Sequence, residues 1–399
     1  MRIRSTGLSL LGGLALVVAA CTGGTASPTT APSSAAPASS APASAPASSA
    51  PASAPASASN LKLGVVTDVG TINDKNFNEY SYKGAQQAAQ ELGITGDVPY
   101  AVPKDASEYP TLINNYVSQG FNIIVTVGFN LTNETIKAAK ANPNIWFVGV
   151  DQAPICVDEK GDPDSTFACK GDPKTLLPKY VAIGFEEDQA GYLAGIVAAS
   201  VSKSGTIGAI GGITICAPCV RYIQGYELGA KSVNPDIKVK TAYITTSDFT
   251  KAFADPVTGK NFAKQFIQQN KPDVLFQVAG LTGNGVLDAA CDAGIWGVGV
   301  DVDQFLSYPN ADKCLITSAE KHLANAVDQV VKAISDGSQQ PGNAHFDATN
   351  DGIGASPGHD NASQWPADLQ GKLDQALAGM KDGSIKTCPD TGCGAPPSS

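Results

Sequence analysis

Leu61-Lys-Leu-Gly-Val-Val-Thr67 is a short apolar run that stops at a carboxylate, Asp68. An amphipathic stretch from about Asn76 to Leu92 follows and ends at Gly93. The run has the length of a buried strand. The stretch after it has helical spacing, with Asn73 or Asp74 able to cap its start and Gly93 able to end it. The same unit recurs along the chain. Val98–Pro103, Asn122–Val127, Ile145–Val150 and Tyr180–Phe185 read as strands, with helices near Tyr109–Gln119 and Thr132–Ala141. Cys156–Pro178, rich in Gly, Asp and Pro, is an excursion between elements. A helix over Asp188–Val201, a strand at Thr206–Ile210 and a helix near Val220–Ser232 resume the pattern. Further strands are expected at Ile237–Thr245, Asp273–Val278, Gly297–Val300 and Cys314–Thr317, with helices starting near Gly259, Gly283 and Ala319. After Pro341 the pattern weakens to a returning strand around Gly352-Ile-Gly354 and a final helix over Trp365–Met380. Alternation of this kind predicts an α/β fold of parallel sheets with helices on both faces. The strands are too many for one ordinary sheet, so two lobes are expected, each a parallel sheet flanked by helices.

Open α/β sheets bind ligands beyond the carboxyl ends of their strands. The residues just after the strands are Asp68, Gly128, Asp151, Gly211 with Gly212, Gly280 and Asp301. Three carboxylates and a set of glycines there suit a polar ligand approached closely by backbone. Each taken singly could instead be a turn residue or a helix cap.

Upstream of Leu61 the sequence changes character. Arg2 and Arg4 precede an apolar run from Leu8 to Ala20, and Val18-Ala-Ala20 leads into Cys21. A charged start, a short apolar core and small residues at its end describe a signal peptide over residues 1–20. The run falls short of the roughly 20 residues of a membrane span. A cysteine at that point looks like a bacterial lipobox, so Cys21 is expected to carry a lipid and to become the N-terminus. The alternative is an ordinary signal peptide with a chance cysteine. Residues 21–60 are nearly all Ala, Ser, Pro and Thr. They have no large apolar side chain to offset ordering entropy, so they read as a linker, with a reach on the order of 100 Å at about 3 Å per residue. Residues 61–399 form the ligand-binding domain. The expected location is the extracytoplasmic face of the cell membrane, held there by the lipid.

Without Arg2 and Arg4 the formal charge moves from −10 to −12, and Arg221 is the only arginine left. So acidic a body argues against nucleic acid as a partner. Eight cysteines remain besides Cys21, an even number that in an exported chain favours disulfides. Proximity suggests Cys156 with Cys169, Cys216 with Cys219 and Cys388 with Cys393, leaving Cys291 with Cys314. Cys216-Ala-Pro-Cys219 lies between a strand and a helix, where a redox dithiol could also sit. A small structural loop is the preferred reading, since the fold has far more strands than a thioredoxin domain. Only His322, His345 and His359 are present, and no nucleophile, Walker or metal-ligand motif occurs. Asp301-Val-Asp303 could hold a cation but lacks a ligand-rich loop. No catalytic residue, cofactor or metal site is assigned.

A succession of motifs carries a resemblance. Asp68-Val-Gly-Thr-Ile-Asn-Asp74-Lys-Asn-Phe77-Asn78 is followed by Gly184-Phe185, Gln189-Ala-Gly-Tyr-Leu-Ala-Gly195 and Gly208-Ala-Ile-Gly-Gly212. Phe253-Ala-Asp255-Pro, Gly299-Val-Asp301-Val-Asp303-Gln304 and Thr317-Ser-Ala-Glu-Lys321 complete the order. Together they resemble basic membrane lipoproteins of the Bmp/PnrA type, the substrate-binding components of ABC importers. The resemblance implies a periplasmic-binding-protein-like fold with a ligand cleft between the lobes, and a monomer that presents a purine nucleoside to a membrane permease. It implies that Phe77 and Phe253 sandwich the base, that Asp68 and Asn78 lie beside it, and that Asp301 and Lys321 address the ribose. Asp151 and Gly280 are then expected to line the cleft. The chain departs from the family at Cys216–Cys219, close to that cleft, and at Cys156–Cys169. Other readings stay open: a receptor for a sugar or another polar metabolite, a ligand sensor, or an extracytoplasmic thiol–disulfide protein.

Overall fold

The computed structural model describes residues 61–394, so residues 1–60, Cys21 among them, lie outside the described residues. The first lobe is built on β1 (Leu63–Thr67), β2 (Tyr100–Ala101), β3 (Ile123–Val127), β4 (Trp146–Val150) and β5 (Tyr180–Phe185). The second is built on β6 (Thr206–Ile213), β7 (Lys238–Thr245), β8 (Val274–Val278), β9 (Trp296–Asp301) and β10 (Leu315–Lys321). β11 (Gly342–Phe346) returns to the first sheet and β12 (Ile353–Ala355) to the second. The strand orders are β11-β5-β4-β3-β1-β2 and β12-β10-β9-β8-β6-β7. All pairings are parallel except β12, which runs antiparallel to β10.

The central strands are apolar at nearly every position because both faces are covered. Every residue of β1, β3 and β8 is buried. On one face of the first sheet, Val65, Val125 and Val148 pack with Ala85 and Ala88 of the helix Phe77–Glu91 and with Val327 and Val331 of the helix Leu323–Asp336. On the other, Val66, Ile124 and Phe147 pack with Ile113 and Ile136. In the second lobe the helices Glu187–Val201 and Ala217–Val233 lie unusually close. A methyl at Gly191 or Gly195 would strike the carbonyls of Tyr222 or Tyr226, and one at Gly225 or Gly229 those of Asp188 or Tyr192. Glycine pairs four residues apart on both helices thus let the two backbones touch.

The chain passes between lobes three times: after β5 at Phe185–Glu187, after β10 at Lys321–Leu323, and between β11 and β12. β11 is a strand that the sequence pattern did not reveal. Its alternate residues are only partly buried at the sheet edge, so it lacks a continuous apolar run. The helix expected near Ala319 starts at Leu323 instead. β10 stays extended through Lys321 because Ala319 and Glu320 pair with β9 on one side and β12 on the other. The last helix begins at Leu369, since Trp365 sits in an extended link before Pro366.

All four disulfides, Cys156–Cys169, Cys216–Cys219, Cys291–Cys314 and Cys388–Cys393, are formed. No helix among the described residues is long and apolar enough to cross a membrane.

Candidate functional site

The carboxyl ends of the two sheets face one another across a cleft. The lobes also touch there: Asn284 Nδ2 donates to the Asp74 carbonyl at 3.1 Å, and Ser307 Oγ to the Lys75 carbonyl at 2.8 Å. Between them is a cavity of about 580 Å³, open to solvent at its mouth.

Asp68 follows β1. Its Oδ1 accepts from its neighbour's backbone N–H, Val69, at 2.6 Å, and its carbonyl accepts from Tyr109 Oη at 2.8 Å. Gly128, at φ 111° after β3, passes so close that any side chain there would overlap the Asp68 carboxylate. Burial pushes the Asp68 carboxyl up to about 7. Asp74 caps the next helix by accepting from the N–H groups of Asn76, Asn78 and Glu79 at 2.9, 2.9 and 3.1 Å. It thereby fixes Phe77 and Asn78 in the first helical turn, and burial raises its own carboxyl to about 6. Asn78 Nδ2 donates to the Val69 carbonyl at 2.9 Å.

Opposite lies a buried charge cluster centred on Lys321, which is 2% exposed. Its ammonium is 2.6 Å from Asp151 Oδ2, 3.4 Å from Glu187 Oε1 and 3.6 Å from Asp301 Oδ1. Asp151 and Asp301 occupy equivalent places at the ends of β4 and β9. Both adopt left-handed backbone, φ 59° and 65°. Non-glycine residues rarely do so outside functional or strained turns. Arg221 Nε donates to the second oxygen of Glu187 at 2.6 Å, and Tyr222 Oη to Asp301 at 3.2 Å. Burial alone would lower the Lys321 ammonium, but the surrounding carboxylates outweigh it and raise it. Burial dominates at Asp151, raised to about 6, and also lifts Asp301. Glu187 is held down despite its burial because Arg221 and Lys321 both face it.

Aromatic rings complete the walls. Phe77 lies under the Lys321 ammonium at 4.9 Å. Phe253 stands across the cavity, in edge contact with Phe129 at 6.3 Å. Gly280, at φ 50°, passes beside Phe253, where a side chain would be strained. Two lining acceptors, Asn78 Oδ1 and Asp151 Oδ1, are buried with no hydrogen-bond partner. Leaving such groups unmet costs about 1–3 kcal/mol each.

The structure therefore brings Asp68, Phe77, Asn78, Asp151, Phe253, Gly280, Asp301 and Lys321 to the wall of one cavity. Sequence reading missed Asp74 as a lining residue, Phe129, Tyr222 and the Glu187–Arg221 pair. Glu187 follows a strand, as the other carboxylates do, and Arg221 is the sole arginine of the folded part; both were available signals. Cys216, Pro218 and Cys219 also line the cavity. The two sulfurs belong to residues only 3% and 5% exposed, which shields them from a protein thiol. Asp303 does not join Asp301 around a cation. It caps the turn at Gln304 through Phe305 N–H and pairs with His359 Nε2 at 2.6 Å.

Residues 61–376 match the model of the Bmp family, described as PnrA-like ABC transporter substrate-binding proteins. The chain belongs to this family. The ABC transporter nucleoside-binding protein BmpA of Lactococcus lactis subsp. cremoris is 30% identical, over 82% of this chain and 89% of that protein. An uncharacterized lipoprotein of Pyrococcus abyssi is 28% identical, over 74% of this chain and 69% of that one. Among solved structures, an ABC transporter solute-binding protein from Aeropyrum pernix K1 superimposes with a TM-score of 0.67 at 24% identity, covering 82% of this chain and 92% of that one. That likeness establishes the periplasmic-binding-protein fold. The family is a solute-binding type whose relatives include lipoproteins and basic membrane proteins.

Proposed function

We propose that this Bmp-family protein captures a purine nucleoside between Phe77 and Phe253 and presents it to an ABC permease, with Cys21 lipidated as its membrane anchor. The observation that carries the proposal is the pairing, in one cavity, of two aromatic walls with a carboxylate–lysine cluster at one end. A purine offers two π faces, and stacking contributes about 1–3 kcal/mol per base. Asp68 and Asn78 then meet the base edge. Asp151 and Asp301 accept from the ribose hydroxyls, charge-assisted bonds that a neutral sugar satisfies well. The cavity also selects against nucleotides. Asp68, Asp74, Asp151 and Asp301 line it, while its one lysine is already engaged by three carboxylates. A phosphate would enter a field of like charge.

Thermal shift and calorimetry on the exported chain test this, using inosine, guanosine, adenosine, their 5′-monophosphates and a panel of free sugars. A ligand at about 100 times its Kd adds near 2.7 kcal/mol of stability. The nucleosides are expected to stabilise and the monophosphates not. If all three nucleosides fail while a sugar succeeds, the proposal is wrong. Mass analysis of the mature N-terminus decides lipidation.

A further inference from the structure

Asp68 and Val69 form a wall of the cavity, and on their far side a second space of about 420 Å³ opens to solvent; these are the two residues that line both. Its walls come from both lobes. Thr71, Lys104, Asp105 and Asn130 stand on one side, and Phe249 and Ala254 on the other. Phe249 continues the aromatic wall, 6.4 Å from Phe253 and 5.9 Å from Phe129, yet it does not line the inner cavity. The opposite end of the inner cavity is of another kind. There Asp151, Glu187, Asp301, Arg221, Tyr222 and Lys321 bond to one another and are nearly all buried. A ligand with its ribose in that cluster has a closed sugar end and an open base end.

We infer that the groove beyond Asp68 is a subsite for substituents on the base edge, so that the protein takes purine nucleosides extended at the 2- or 6-amino position as well as the plain ones. This rests on the nucleoside reading above and on the base lying toward Asp68. A purine's 2- and 6-positions lie on the edge remote from the glycosidic bond, so that edge is the one that meets Asp68. A substituent there leaves past Val69 into the groove. Phe249 offers an apolar or aromatic substituent a ring face, and Lys104, Asp105 and Asn130 supply a wet rim. Substituents on the ribose have no such exit and would separate the Lys321 cluster.

Calorimetry tests the asymmetry with N6-benzyladenosine against adenosine, N2-benzylguanosine against guanosine, and 2′,3′-O-isopropylideneadenosine as the ribose-blocked control. At least one benzyl nucleoside is expected to bind within threefold of its parent, and the blocked ribose to weaken binding at least a hundredfold. Ala106→Trp, at an exposed position on the groove, should weaken that benzyl nucleoside at least tenfold and leave its parent unchanged. Phe249→Ala should weaken it more than the parent. If both benzyl nucleosides bind more than threefold weaker than parents that do bind, the subsite is refuted. It is also refuted if Ala106→Trp leaves the benzyl ligand unaffected. If no parent nucleoside binds, the nucleoside reading falls and the subsite with it.

Discussion

Asp68→Asn should make the empty protein more stable at neutral pH and flatter in its pH response. The Asp68 carboxyl stands at about 7 in the fold, against 3.8 for an ordinary aspartate, because burial disfavours its charge. Between those two values the unfolded chain has released the proton that the folded chain still holds. Stability from this group is therefore full below 3.8, declines as pH rises, and levels off above about 7. Integrated from pH 5 to pH 8, the loss is about 2–3 kcal/mol, and the whole penalty at high pH approaches about 4 kcal/mol. Asparagine keeps the shape and can still accept from Val69 N–H, but it carries no charge to desolvate. Other raised carboxyls, Asp74, Asp151, Glu186 and Glu320, titrate in both proteins and cancel in the comparison. Urea unfolding of both proteins at pH 5 and pH 8 measures the difference. The variant should lose about 2–3 kcal/mol less over that interval. An equal loss in the two proteins, or a variant less stable at pH 8, would refute the placement of a desolvated carboxyl at this position. The same variant is expected to bind nucleoside more weakly if, as proposed, Asp68 meets the base edge.

Three further outcomes follow from the geometry. Phe77→Ala and Phe253→Ala should each weaken nucleoside binding by about 1–3 kcal/mol, roughly five- to 150-fold, with little change in urea midpoint; unchanged Kd in calorimetry would remove that ring from the sandwich. Lys321→Met leaves Asp151, Asp301 and Glu187 facing one another without their shared cation, and should cost about 3–5 kcal/mol at neutral pH. A urea midpoint equal to that of the parent would show that the cluster is not held by this ammonium. Gly225→Ala places a methyl against the Asp188 carbonyl, where backbone cannot yield cheaply, and should destabilise by about 1–3 kcal/mol; a neutral result would mean the two helices are less closely packed than drawn.

Much of the site was legible because one rule locates it. Asp68, Asp151, Gly280 and Asp301 all follow strands whose apolar runs are plain in the sequence, and such positions face the cleft in a parallel sheet. Phe77 and Phe253 were not legible that way. Their ring faces could equally have been core, and only the motif resemblance marked them. Phe129 and Tyr222 carried no mark at all, since an aromatic after a glycine or within a helix is ordinary packing material.

By itself the sequence determined the α/β class and the order of most strands and helices. These depend on neighbours in the chain: run length, spacing and side-chain volume. The tertiary structure alone decided which lobe each late element joins, and hence the cleft. β11 could not be assigned from its own residues, because its place is set by pairing with β5 far upstream. Lys321 shows the same thing at the level of charge. Nothing near it in sequence explains a buried ammonium. It is stabilised by Asp151 and Glu187 of distant segments, brought within 4 Å by a chain that crosses between lobes at that very residue.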